Sequence, residues 1–372
     1  MNDGKINPLQ SRIADFAARH VATRPDLSTA TEFPLDIWRD MGEAGLFKIG
    51  IGESHGGSGG GYLDLTRAGE SFVQHGLNPG LALSWLYRQI LARFIVGNFG
   101  TSGQQEQYMP ALAAGRITPS FAVSEPGRGA HPKKLATTAD RLDDHYELSG
   151  EKTYLTNGPI ADLFIIVAVT GEDGPHRRFT AFLVPRATGG VRVLPPLNLN
   201  FLKPSVHGGV KLDASRVGPD AVLGREGNAW TDMVVPLGEI EDVVMMGPAA
   251  GGMAAQMDML LIALRRSPAA GKADLRGDIG DLAARLAGMR VIAYEAAKSL
   301  DAGGSPPTAL CSIFTQMSAS FQTAVASVLG RWNPDLPDIY HPLRRDMESL
   351  MMFRKRVMKI RQEKIGAALL KD

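Results

Sequence analysis

FAVSEPGRGAHPKKLATTADRLDDHYELSGEKTYLTNG occupies residues 121–158, and the rest of the chain is organised around it. Two punctuated motifs, residues 121–127 and 151–158, bracket segments whose polarity alternates. Residues 136–142 and 146–149 carry the period of two of half-buried strands, and the polar run Asp143-Asp144-His145 joins them as a turn. Pro126, Gly127 and Gly129 end the first strand in a loop whose backbone N–H groups can be left free for a ligand. Ser124 and Thr156 add hydroxyls that donate or accept, and Tyr154 offers a face that stacks on a flat ring.

On the N-terminal side the period is helical. Ile13, Phe16 and Ala17 recur at helix spacing within residues 11–22, and residues 35–45 repeat the pattern up to Gly45. Residues 62–75, 82–99 and 103–114 continue as helices. Between them, GIGESHGGSGGG (residues 50–61) reads as a flexible connection, because no Lys-Ser/Thr follows to make a phosphate cradle. From residue 117 to about residue 227 the period falls to two. Strands at 163–169, 179–184, 191–194 and 210–213, broken by Gly, Pro and Asp, suggest a small barrel or sandwich. Four long helices follow at 229–266, 274–300, 306–330 and 343–370, with Pro307 near the start of the third and Pro248 expected to kink the first. The expected fold class is α+β: a helical domain (1–118), a β-domain (119–228) and a four-helix domain (229–372).

The chain has 372 residues, 44% of them hydrophobic, which suffices for two or three domains with a large core. A formal net charge of +1 gives no global field for nucleic acid or a membrane surface. Cys311 is the only cysteine, so no disulfide forms within the chain and a reducing compartment is expected. No apolar run reaches the ~18 residues of a membrane span, and the first residues lack an apolar signal core. A cytoplasmic protein without a metal site is the expectation.

The bracketed stretch resembles the flavin-binding heart of the acyl-CoA dehydrogenase family, whose pattern is TEPGxGSD followed downstream by xGxKxWITNG. The phrases FGTSGQQEQYMPALAAG (99–115), RFTAFLVPRATGGVRV (178–193) and DASRVGPDAVLGREGNAW (213–230) resemble the family as well. The resemblance implies FAD as cofactor and removal of hydrogen across the α,β bond of an acyl-CoA or acyl-carrier thioester, as in fatty acid metabolism. It implies an electron-accepting flavoprotein as partner and a homodimer or homotetramer. Phe121, Val123, Ser124, Tyr154 and Thr156 match the flavin-contact positions, with Ser and Tyr in place of the usual Thr and Trp. The serine that meets the CoA tail corresponds to Ala130, and the aspartate after it to His131. Arg128, Lys133 and Lys134 nearby fit either a solvated basic loop or a phosphate-bearing tail.

The chemistry needs a carboxylate to take the α proton. In most of the family it lies on the last helix, at a position that falls on Arg354 here; a guanidinium stays protonated and cannot serve. Leu350, Met351, Val357 and Met358 around it place Arg354 on the apolar side of that helix. A minority carry the glutamate on the first helix of the domain. GEIEDVVMMGPAAGGM (238–253) aligns with that version and puts Glu241 there, with Val244, Met245 and Pro248 on its face and Asp242 in place of the family's arginine. Glu348 is the next candidate. Met245, Met246, Met253, Met257 and Met259 form either an adaptable wall for an acyl chain, with Met245 foremost, or core filling.

The positions for the adenine half of the cofactor are altered. Arg265-Arg266-Ser267-Pro268 stands where the family has RxxFG, and Gly330-Arg331-Trp332-Asn333 where it has GGxG. Arg331 would occupy the space a glycine leaves open, or pair with a pyrophosphate. Two further readings follow. One is a non-catalytic or half-site subunit completed by a paralogue in a heteromer; the other is a flavin-dependent monooxygenase of the same fold.

Overall fold

The computed structural model describes residues 8–174, 176–268, 270–304 and 307–370, and the side chains of those residues except 173, 351–357, 364 and 368. The first helices are α1 (Pro8–His20), α2 (Leu35–Glu43), α3 (Tyr62–Gly76) and α4 (Pro79–Ile90). α4 continues through π-helical residues Leu91–Val96 into α5 (Gly97–Phe99), and α6 (Ser102–Ala113) follows. The local signals are those expected of helix ends. Asn78 caps α4 by accepting from the Leu81 N–H at 2.8 Å, with Pro79 at the first helical position. Thr101 and Gln104 cap α6 reciprocally. The glycine-rich loop is tied down rather than left loose. The Gly50 N–H bonds the Gly59 carbonyl, and Arg93 donates to the carbonyls of Gly50 and Gly60.

The β-domain is one sheet of β1 (Pro119–Ala122), β2 (Thr138–Arg141), β3 (Tyr146–Thr156), β4 (Leu163–Asp173), β5 (His176–Pro185), β6 (Val191–Val193), β7 (His207–Val217) and β8 (Val222–Leu223). The strand order is β6-β7-β3-β2-β4-β5-β8, with β1 parallel to β4. β4 is apolar on both faces because it separates two cores. Leu163, Ile165 and Val167 pack toward the helices, whereas Phe164, Ile166 and Ala168 fill a second core within the sheet. Tyr146 of β3 and Phe182 of β5 are three strands apart in the order, yet their rings meet at 5.0 Å. A flat sheet would hold those strands ~14 Å apart, so the sheet curls on itself.

After a π-helical turn (Trp230–Val234) come α7 (Val235–Val244), α8 (Met246–Arg265), α9 (Ala273–Asp301), α10 (Thr308–Trp332) and α11 (Tyr340–Leu369). The single helix expected over 229–266 is thus broken at Met245, whose ψ is −5°. Pro248 has no N–H to continue the ladder to Val244, which accounts for the break. The neighbouring glycines have another task. A Cβ on Gly247 would lie 1.9 Å from the Thr66 carbonyl oxygen, and one on Gly251 would lie 2.2 Å from that of Glu70. α8 therefore lies directly against the α3 backbone. The first and last helical regions are further joined by Asp301, which caps α3 through the N–H groups of Tyr62 (2.7 Å) and Leu63 (3.0 Å). Buried Glu70 adds a second tie, accepting from Arg290 and from the Tyr294 hydroxyl, both at 2.5 Å.

The two motifs of the sequence meet in a buried ion pair. Lys152 is fully buried, and its Nζ lies 3.0 Å from Glu125 Oε1 and 3.0 Å from the Val123 carbonyl. Glu125 also accepts from the N–H groups of Ala136 (2.7 Å) and Thr137 (2.8 Å). Burial alone would raise the Glu125 pKa, but Lys152 and these donors hold it below the ordinary value. The loop after β1 closes on the same residue: the Arg128 and Gly129 N–H groups bond the Glu125 carbonyl, so they are not free for a ligand as the sequence suggested. Removing one member of such a pair leaves the other charge buried. Lys152→Met is expected to lower stability by about 3–5 kcal/mol in urea unfolding; a loss below ~1 kcal/mol would show that the pair is not what joins the motifs.

Candidate active site

A cavity of about 530 Å³ opens where the β-domain faces the last helices. Its β wall is Tyr154, Thr156 and His207; its helical wall is Gly238, Glu241, Asp242 and Met245; Leu83, Leu199, Phe201, Leu202, Leu350 and Arg361 complete it. The spacing of 238, 241, 242 and 245 is one face of α7. The cavity thus brings together four residues singled out from sequence: Tyr154, Thr156, Glu241 and Met245.

Local backbone aims the β wall. The β3–β7 register shifts between Lys152 and Leu155, and Tyr154 within that shift has φ +58° and is 63% exposed. Such an irregularity turns a side chain out of the regular alternation, so Tyr154 leaves the sheet core and presents its ring to the cavity. Asn157 follows in the left-handed region at φ +63°, which asparagine tolerates, and its Nδ2 donates to the Ser84 carbonyl of α4 at 2.9 Å. Thr156 and His207 are cross-strand partners in register, so their side chains share one face of the sheet. The Thr156 hydroxyl makes no hydrogen bond among the described residues, and neither does that of Ser124, which is partly buried.

On the helical wall Glu241 is partly buried. Its charge reaches Tyr87 of α4, whose phenol is raised well above the ordinary value, first by burial and then by Glu241. Of the three residues expected on its face, only Met245 lines the cavity. Val244 is fully buried in the core, and Pro248 packs toward Gly69 of α3. Met246 and Met253 are core as well. Asp242 stands where the family carries an arginine, yet an arginine does reach this wall: Arg361 comes from α11 and pairs with Asp242. The loop before β7 is held from the same helix, because buried Asp346 accepts from the Leu202 N–H at 3.1 Å.

Other sequence-derived positions lie elsewhere. Phe121 and Val123 are buried in the core shared with the helices and do not line the cavity. Ala130 is exposed on the loop after β1, together with His131, Lys133 and Lys134, and is not part of the cavity wall. Glu348 pairs with Arg344 at 2.9 Å and is absent from the wall. Arg354 falls in α11, and its side chain is outside the described ones. Arg331 is occupied by Asp274 at 2.6 Å and Asp278 at 3.6 Å, so it is not held open for a phosphate. His207, Leu199, Phe201 and Arg361 were not recognisable as site residues. The only signal for His207 was its register opposite Thr156, which needs the strand pairing.

Ser124 is not part of the cavity wall. The donor set of the wall fits a flat ring with polar edges: an exposed aromatic face, the Thr156 hydroxyl and the His207 ring without intrachain partners among the described residues, and the Glu241 carboxylate across the gap, beside the Asp242–Arg361 pair. The family models for the acyl-CoA dehydrogenase N-terminal domain and middle domain match residues 6–116 and 120–202. The chain belongs to the acyl-CoA dehydrogenase family. It is 27% identical over 340 residues to a mitochondrial 2-methylacyl-CoA dehydrogenase of Solanum tuberosum, covering 87% of this chain and 80% of that one. Butyryl-CoA dehydrogenase of Megasphaera elsdenii superposes with a TM-score of 0.85 at 19% identity, covering 100% of both chains. Glutaryl-CoA dehydrogenase of Mycobacterium smegmatis in complex with FADH2 superposes at 0.80 with 19% identity, covering 98% of this chain and 94% of that one. Among the described residues no helix is long and apolar enough to cross a membrane, and no cluster of metal ligands occurs.

Proposed function

We propose that this chain is an FAD-dependent dehydrogenase of acyl thioesters, with Glu241 as the base. The observation that carries this reading is that one cavity brings Glu241 of α7 and Met245 at its end opposite Tyr154 and Thr156 of β3. A bound flavin would supply the acceptor for the hydride of the β carbon, which the protein's own side chains lack. The chain's residues do the rest. Tyr154 would cover the ring, while Ser124 and Thr156 would bond its polar edge. The Glu241 carboxylate takes the proton from the α carbon, and the electron pair of that C–H bond becomes the new α,β double bond as hydride leaves. Leu83, Leu202, Met245 and Leu350 keep water from the alkyl part, which strengthens the charge interactions of the carboxylate. A homodimer or homotetramer and an electron-accepting flavoprotein are part of this proposal, with CoA or a carrier protein bearing the acyl group.

Two measurements test it. Glu241→Gln keeps the shape of the side chain but cannot take a proton, so flavin reduction by acyl-CoA in a stopped-flow experiment is expected to fall by at least ~100-fold. Reduction at the wild-type rate would exclude Glu241. Ser124→Ala with Thr156→Ala is expected to weaken FAD binding by ~0.5–1.5 kcal/mol per hydroxyl, read by quenching of flavin fluorescence. Unchanged affinity would remove these residues from the ring site.

A further inference from the structure

His207 is a polar group in the cavity for which the fold provides no partner. It opens β7 directly opposite Thr156, and it lines the same cavity as Tyr154 and Glu241. Its carbonyl is used, accepting from the Leu197 N–H at 2.7 Å. Its ring is not: Nδ1 is buried without a hydrogen-bond partner, and no bond of the ring occurs among the described residues. Structural histidines in a sheet ordinarily bond a neighbouring carbonyl or hydroxyl, because a buried polar atom without a partner costs free energy. Here the strand pair and the loop before β7 leave the ring facing the cavity instead.

The tautomer follows from the same constraint. A buried N–H without an acceptor is costlier and rarer than a buried lone pair without a donor. Nδ1 therefore carries the lone pair and the ring proton resides on Nε2. Burial pushes the His207 pKa down to about 4, so the ring is neutral at physiological pH and offers one N–H rather than a charge.

We propose that His207 is a positioning residue that donates a hydrogen bond from Nε2 to a carbonyl oxygen of the ligand in this cavity. This inference rests on the reading of the cavity as a flavin and thioester site. Two carbonyl sources share that chemistry: a ring carbonyl of the flavin, beside Thr156, and the carbonyl of the acyl thioester, toward Glu241.

The test uses the full chain and reads binding rather than turnover. FAD affinity is measured by fluorescence quenching. Affinity for acetoacetyl-CoA, whose β carbon is already oxidised, is measured through the shift it causes in the bound flavin spectrum. His207→Leu removes the donor; His207→Gln keeps an amide N–H at a similar reach. A three- to tenfold loss in one affinity for the leucine variant, restored by glutamine, is the expected result, in line with one neutral hydrogen bond. Loss of FAD affinity assigns the ring carbonyl, and loss of acetoacetyl-CoA affinity alone assigns the thioester. Unchanged affinities in His207→Leu, an equal loss in both variants, or a wild-type chain that binds neither ligand would overturn the proposal. Thermal melting of both variants separates loss of the bond from loss of the fold. A wild-type chain that binds both ligands but is never reduced by acyl-CoA would sink the dehydrogenase reading and leave His207 standing.

Discussion

The buried pair Glu125–Lys152 is the constraint on which the rest depends. Two charges removed from water cost several kcal/mol each unless their remaining valences are satisfied. Here they are: Glu125 takes two backbone N–H groups, and Lys152 shares its protons between Glu125 and the Val123 carbonyl. That requirement fixes where the end of β1, the beginning of β2 and the middle of β3 lie. Tyr154 follows two residues after Lys152, at the register shift, and its ring is exposed at the cavity.

The helical wall is built by a different kind of constraint. α7 ends where Pro248 interrupts the ladder, and α8 begins against the backbone of α3 with glycines at the contact. The carboxylate of Glu241 is therefore carried on a short helix whose C-terminal end is anchored. Its neighbour Asp242 is met by Arg361 from α11. The two opposite charges of this wall thus come from different helices, Asp242 from α7 and Arg361 from α11.

Much of this was legible in the sequence, and the reasons differ by element. The strands and motifs of residues 121–158 could be read because alternation and punctuation are local. β7 was seen only over its apolar centre, since His207, Gly208 and Gly209 at one end and Ala214 to Arg216 at the other do not alternate; their membership depends on β3. The break at Met245 was foreshadowed by Pro248, but the purpose of Gly247 and Gly251 lies in a partner helix far away in sequence. Glu241 and Met245 were placed by helical spacing and resemblance, whereas His207, Phe201 and Arg361 reach the cavity only through tertiary pairing. Ala130 illustrates the opposite case: a position matched by motif that the fold puts on an exposed loop.

The contact between α8 and α3 also limits how this cavity can vary. With backbone against backbone at Gly247 and Gly251, α8 cannot move closer to α3 and the contact has no room for a side chain; even one methyl group would force the helices apart. The dimensions of the cavity depend on side chains that line it from elements other than α8: Leu83 from α4, Leu199 and Phe201 from the loop, Leu350 from α11. Exchange of those side chains would alter the size of ligand the cavity admits while leaving the packed helix contact untouched, so the capacity of the cavity and the stability of the scaffold rest on different residues.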